Sequence, residues 1–435
     1  MHQPNIKKKS LNGVMEVPGD KSISQRILIL ASLAIGTTKV SGISFSEDIK
    51  NLIKNLKILG VKIKKNKSSI LVYGVGVGGL NSTKKSLYMG NSGTATRLMM
   101  GTLCNQDFEV KITGDKSLNK RDMGELIKPL KKMGASISSK KNKLPISIKG
   151  FNETMPIIYN QKIPSAQIKS AVLIASLNSP GLTTIIENIP TRNHTEIILK
   201  KFGAKIEIKK EKQKKIIKII GQKELYAKSI LIGGDPSAAA IVGSAALITE
   251  NSKIKIKNVN FNKTRIAFFN VLKRMKANIK ISNKRIISNE EIVDITFSSS
   301  KLKGIHLSKK TVANMIDEIP IFSILAAFAN GSSSFVGGEQ LKNKESNRIK
   351  SLYEGLYACN VKVKKKNDGL EIIGKSKNKV VGGAKIKTYY DHRIAMSFLI
   401  MGLNSEKKII IDDKDCIKTS FPNFIKLMKQ IGANF

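Results

Sequence analysis

The chain has 435 residues, 41% of them hydrophobic, which is too long for one ordinary core and suits two domains of roughly 200 residues each. Its formal charge of +44 points to anionic partners, but only nine of the 76 basic residues are Arg, the lysines run along the whole chain, aromatic residues make up 5% and Trp is absent. That pattern is a compositional background rather than a nucleic-acid-binding patch, and nothing approaches the roughly 20 apolar residues of a membrane span.

Residues 1–13 are basic with no apolar run behind them, so no secretory signal is expected and the protein is read as cytoplasmic, off the membrane, monomeric and without a specific nucleic-acid partner. Three scattered cysteines and four histidines form neither a disulfide framework nor a zinc site.

Along the chain one local pattern recurs six times: LKILGVKI (56–63), LKKMGASI (130–137), LKKFGAKI (199–206), LKRMKANI (272–279), LYACNVKV (356–363) and MKQIGANF (428–435). Each reads as an apolar helix end followed by an alternating strand. Gly60, Gly134, Gly203 and Gly432, and Asn360 in a fifth copy, suit the left-handed residue that ends a helix; Lys276 is the exception. Polar segments after four copies, KKNKSS, SKKNK, KKEKQKK and KKKNDG, predict hairpin turns. The units are too long for solenoid repeats, and two groups of three fit better.

Between the copies lie segments in which polar or small residues precede an apolar helix. VPGDKSISQRILILASLAIG (17–36) sets Lys21, Ser22 and Arg26 near a helix start with Asp20 or Ser22 as cap, a place that favours an anion. GNSGTATRLMMGTL (90–103) offers Gly93 for close backbone approach; GDKSLNKRDMGELIKPLKKMGA (114–135) carries Arg121 before a helix; IPSAQIKSAVLIASL (163–177) places Ser165, Ala166 and Gln167 at another helix start. In the second half, MIDEIPIFSILAAFANG (315–331) sets Asp317 and Glu318 before an apolar helix, LKNKESNRIKSL (341–352) predicts a helix with Lys344 and Arg348 one turn apart, and YYDHRIAMSFLIMGL (389–403) brings Asp391, His392 and Arg393 together. Taken singly, each is an ordinary capped helix or a surface charge. Six of the nine Arg residues nevertheless fall in these motifs and their companion TRNHTE (191–196), where a planar two-pronged donor suits carboxylate and phosphate.

Together, PGDKSIS, GNSGTATRL, SAQIKSA, TRNHTE, DEIP, KESNRI, DHRIAM and TSFP, spread from residue 18 to residue 422, resemble the EPSP synthase family of enolpyruvyl transferases. The family's pattern has His where this chain has Gln25, and Asp where it has Asn193 and Asn347. The resemblance implies an α/β, two-domain fold of six β-α-β-α-β-β units in an inverted, barrel-like arrangement, with residues 17–234 as one domain, residues 1–16 plus 235–435 as the other, and substrates in the cleft between them. It implies joining of phosphoenolpyruvate to shikimate 3-phosphate without metal or redox cofactor, and inhibition by glyphosate. Carried over residue by residue, Lys21, Ser22, Arg26, Ser165, Ala166, Gln167, Arg192, Asp317 and Lys344 would hold shikimate 3-phosphate. Lys21, Gly93, Arg121, Gln167, Arg348 and Arg393 would hold phosphoenolpyruvate, and Lys21, Asp317 and Glu345 would move protons. The family's lysine before Phe-Pro has no counterpart in register: Lys418 stands one position away, and no role is carried to it. Two alternatives remain, a transferase acting on UDP-N-acetylglucosamine and a basic nucleic-acid-binding protein. Against the former, Cys104 ends an apolar helix instead of standing in a mobile loop.

Overall fold

The computed structural model describes residues 10–66, 69–212, 214–375 and 380–435. It divides into two compact units: one comprises the N-terminal segment through Pro18, Gly233–Ile286 and Glu291–Phe435, the other Gly19–Ile232 with Ile287–Glu290. Each has its own apolar core.

One repeat shows the building rule. A short strand, Leu87–Tyr88, leads into the apolar helix Gly93–Leu103, a second strand Glu109–Thr113, the amphipathic helix Gly124–Lys132 and a hairpin, Ser136–Lys140 with Lys143–Lys149. The first two strands pair in parallel, as a helical crossover requires, and the hairpin adds antiparallel strands beside the second. The same strand order recurs in four further sheets.

Two of the sheets exchange their first strand along the chain. Ser229–Leu231 lies parallel to Ile35–Ser41, and Asn12–Glu16 lies parallel to Lys253–Asn260. In the sixth repeat the described strands form two short parallel pairs, Val380–Gly382 with Ser405–Lys407 and Lys385–Ile386 with Ile410–Ile411.

The first helix of every repeat is central: α1 (Lys21–Ser32), α2 (Gly93–Leu103), α3 (Ala166–Ala175), α4 (Pro236–Ile248), α5 (Ile319–Phe328) and α6 (His392–Gly402). Their sequences are apolar on nearly every side because they are covered on nearly every side; α4 buries every residue from Pro236 to Leu247. The second helices are amphipathic: Glu47–Ile58 buries Ile49, Leu52 and Leu56 and turns Lys50, Lys54 and Lys57 outward. No helix among the described residues is long and apolar enough to cross a membrane.

All six equivalent helix-ending positions adopt positive φ: Gly60 (89°), Gly134 (105°), Gly203 (99°), Asn360 (58°), Gly432 (100°) and also Lys276 (61°). The expected exception is therefore none. Lys276 takes the left-handed conformation because the repeat's helix-to-strand turn demands it, with its amide bonded back to the Lys273 carbonyl. The predicted hairpins form, although residues 67–68 and 213 within two of the turns lie outside the described residues.

Candidate active site

In the unit built from residues 19–232, Asp20 caps α1, accepting from the Ile23 amide at 2.9 Å. That leaves Lys21 in the first turn, where its ammonium meets Asp48 Oδ2 at 2.9 Å; Asp48, on the neighbouring helix, is a partner that no local pattern predicted. Arg26, 3% exposed, is held along its length: Nε donates to Thr195 Oγ1 (2.8 Å), Nη1 to the Ser22 carbonyl (2.9 Å) and Nη2 to Ser170 Oγ (3.1 Å). Gln25, at the position where the family pattern has His, is fully buried and donates to Ser92 Oγ at 2.7 Å, joining the starts of α1 and α2.

Ser92 caps α2, making Gly93 its first helical residue. Arg97 Nη1 donates to the Gly93 carbonyl (3.1 Å) and to Gln167 Oε1 (3.0 Å), while Gln167 Nε2 donates to Thr94 Oγ1 (2.8 Å). Arg121 Nη2 donates to Asn91 Oδ1, and Asn91 is braced by Asp115 at 2.8 Å. Arg97 belongs to the GNSGTATRL motif but was not among the expected ligands; its bonds to both Gly93 and Gln167 put it in the same group. Ser165 caps α3, accepting from the Ile168 amide at 3.4 Å, and Ser165, Ala166, Gln167 and Arg192 are all half-buried.

Behind them lies a buried charge cluster. Lys169 donates to Glu187 (3.1 Å), Glu196 (2.9 Å) and the Arg192 carbonyl (2.9 Å), and Lys215 donates to Glu196 at 2.6 Å. Burial alone would raise the Glu196 carboxyl, but the two ammonium groups outweigh it and hold its pKa below the ordinary value. His194 Nδ1 meets Glu290 Oε1 at 2.7 Å.

The other unit carries a second charged group. Arg348 is 1% exposed and faces three carboxylates: Glu345 at 2.6 Å, Asp391 at 2.8 Å and Asp317 at 3.7 Å. Burial opposes its charge, yet the Asp391, Glu345 and Asp317 carboxylates raise its pKa above even the usual guanidinium value. Arg393 is less enclosed, with Nε 3.8 Å from Asp317 Oδ1 and Nη1 donating to the Asp317 carbonyl at 3.1 Å. Asp391 both caps α6, accepting from the Arg393 amide at 3.0 Å, and clamps Arg348. A related arrangement closes the start of α4 and α5: Arg265, 2% exposed in its side chain, donates to Ser237 Oγ at 2.8 Å and lies 3.5 Å from Asp235 and 3.7 Å from Glu318.

One expectation is corrected here. Lys344 and Arg348 do not share a helix face, because Asn347 caps a helix that begins only at Arg348, while Lys344 ends a short 3-10 turn. The Glu318 side chain makes no capping hydrogen bond to α5; its carboxylate accepts from Ser237. Lys418 is 57% exposed and pairs with Asp415 at 2.7 Å.

A backbone of six repeated units, with arginines, lysines and carboxylates gathered at the starts of its central helices, has the two-domain enolpyruvyl transferase fold: an enolpyruvyl transferase from Streptomyces tendae, NikO, superposes with a TM-score of 0.78 at 12% identity over 98% of this chain and 96% of that one. Within that fold the profile of the EPSP synthase (3-phosphoshikimate 1-carboxyvinyltransferase) family matches residues 6–428, and the chain belongs to this family. Among its relatives, the 3-phosphoshikimate 1-carboxyvinyltransferases of Parvibaculum lavamentivorans and Ruthia magnifica are 42% and 44% identical, each covering 98% of this chain and 95% and 96% of their own. The EPSP synthase of Acinetobacter baumannii superposes with a TM-score of 0.85 at 38% identity, over 98% of this chain and 96% of that one.

Proposed function

We propose that the chain transfers the enolpyruvyl group of phosphoenolpyruvate to the 5-hydroxyl of shikimate 3-phosphate, releasing phosphate and forming 5-enolpyruvylshikimate 3-phosphate, a step toward aromatic amino acids. The observation that carries it is the end-to-end similarity, at about 40% identity, to relatives bearing that activity's name. The alternative acceptor UDP-N-acetylglucosamine loses its support on the same ground. The Cys104 thiol is also no candidate for a reactive loop cysteine, since it is fully buried, donates to the Met100 carbonyl, and has its pKa raised by burial.

Shikimate 3-phosphate binds Lys21, Ser22, Arg26, Ser165, Ala166, Gln167, Arg192, Asp317 and Lys344. Phosphoenolpyruvate binds Lys21, Gly93, Arg121, Gln167, Arg348 and Arg393. Two polyanionic substrates need forked cations, and guanidiniums pre-positioned by carboxylates and helix starts supply them without reorganisation during reaction. The half-buried Asp317 takes the 5-hydroxyl proton, while Glu345 and Lys21 deliver a proton to the methylene carbon of phosphoenolpyruvate. The resulting cationic carbon accepts the hydroxyl oxygen; the tetrahedral adduct then loses phosphate and returns the methyl proton. Lys21 is supported in this role by its partly exposed ammonium, held by Asp48. Glyphosate is expected to compete with phosphoenolpyruvate.

Incubating the purified protein with both substrates, measuring phosphate release and product mass, tests this directly. Equal turnover with UDP-N-acetylglucosamine as acceptor, or none with shikimate 3-phosphate, overturns it.

A further inference from the structure

Lys169 is buried completely, and all three of its ammonium donors are used. Two go to carboxylates and one to a backbone carbonyl, that of Arg192. Its carboxylate partners frame the segment that carries Arg192. Glu187 ends the preceding strand and accepts from the amide of Thr191 at 3.1 Å as well as from its hydroxyl; Glu196 lies in the first turn of the following helix. Lys215 completes a set of two ammoniums and two carboxylates, so the cluster is charge-balanced.

A buried ion cluster is a poor way to gain stability, because desolvation consumes most of the attraction and well-packed apolar side chains do as well or better. An apolar cluster, however, cannot grip a carbonyl. The next residue extends the same connection: Ser170 Oγ receives Arg26 Nη2 at 3.1 Å and lies 2.6 Å from Thr195 Oγ1, which itself receives Arg26 Nε. Consecutive residues of α3 thus hold Arg192 through its backbone and Arg26 through its side chain, one turn beyond Ser165, whose carbonyl accepts from the Lys169 amide at 3.1 Å.

We infer that Lys169 is a positioning residue for the shikimate 3-phosphate subsite, tying the 187–196 segment to α3 so that Arg192 and Arg26 address the same ligand as Ser165 and Gln167. This rests on the subsite assigned above. Lys169 does not touch substrate and acts through Arg192.

The test compares wild type, Lys169→Met and the double variant Lys169→Met/Glu187→Gln. The single variant leaves a net buried negative charge and melts early. The double variant restores charge balance, and its glutamine Oε1 keeps the bonds to Thr191, but the tether to Arg192 stays broken. The double variant is expected to melt near wild type, with the KM for shikimate 3-phosphate raised roughly tenfold, the scale of one lost charged hydrogen bond, while kcat and the KM for phosphoenolpyruvate stay within about threefold. A double variant with wild-type KM for shikimate 3-phosphate overturns the inference, as does an equal rise in both Michaelis constants. A double variant that does not fold also counts against it, because the cluster would then serve the fold and not the subsite. Wild-type protein that releases no phosphate is a failure of the assigned reaction, visible before any variant is made.

Discussion

Gly93 stands so close to Arg121 that a methyl group on its α-carbon would lie 2.9 Å from Arg121 Nη1, and equally 2.9 Å from Arg97 Nη1. Its φ lies outside the left-handed region, so alanine would not strain the backbone; the contact falls instead on the ends of two flexible guanidiniums. Gly93→Ala should therefore leave the melting temperature nearly unchanged while pushing both cations aside. Glyphosate extends further than phosphoenolpyruvate, so its inhibition constant should rise more than the KM for phosphoenolpyruvate. Steady-state inhibition of both proteins checks this, and an unchanged ratio of the two constants rejects the steric account.

Arg348 and Arg393 should respond differently to the same replacement. Arg393 is 12% exposed and lies 3.8 Å from the Asp317 carboxylate, so Arg393→Lys should weaken use of phosphoenolpyruvate by roughly 1.5–3 kcal/mol with little change in melting temperature. Arg348, 1% exposed among three carboxylates, cannot be matched by the single point charge of lysine, and Arg348→Lys should lose thermal stability as well as activity. Melting curves beside kcat/KM for both variants separate the two patterns.

Lys276→Gly should stabilise the protein. Lysine at φ 61° carries the steric cost of the left-handed region, and removing it should gain about 1 kcal/mol after glycine's greater unfolded-state freedom is set against it. The urea midpoint should rise. Gly60→Ala at the equivalent turn should fall, since its methyl would also meet Asn81 Nδ2 at 2.5 Å.

Acid should weaken the buried cluster in a definite window. The folded-state pKa of Glu196 is depressed, so its contribution is fully present above the unfolded value of about 4.3 and is lost as pH falls through the lower folded value. Glu196→Gln should be less stable than wild type at neutral pH, and the gap between their urea midpoints should narrow below about pH 4. A gap independent of pH would remove the ionised carboxylate from the account.

What the sequence disclosed follows from the range of the forces involved. Gly60, Gly134, Gly203 and Gly432 were legible because a helix end demands a left-handed residue locally, and glycine advertises it. Lys276 was not, because the same turn demands the left-handed conformation there from a residue that does not advertise it. A continuous helix through 341–352 was a natural reading of the charge spacing, but the Asn347 side chain accepting from the Lys350 amide starts a new helix there. The motif arginines were legible as scarce forked cations in a lysine background. The partners of the site cations were not: Asp48 for Lys21, Asp391 for Arg348 and the Lys169 cluster join residues 18 to 43 positions apart, leaving no periodicity behind.

The strand Asn12–Glu16 has a further consequence during synthesis. Its sheet partner begins 241 residues later, as the hydrogen bond from Lys253 to Asn12 records. At about 5–20 residues per second a ribosome needs roughly 12–50 seconds to cover that distance, long enough for many smaller folding events. Through this interval the first strand has no sheet to join, while the unit from Gly19 to Ile232 has nearly all its chain available. The Asn12–Glu16 segment therefore waits unpaired while the chain of the other unit is already long enough to fold.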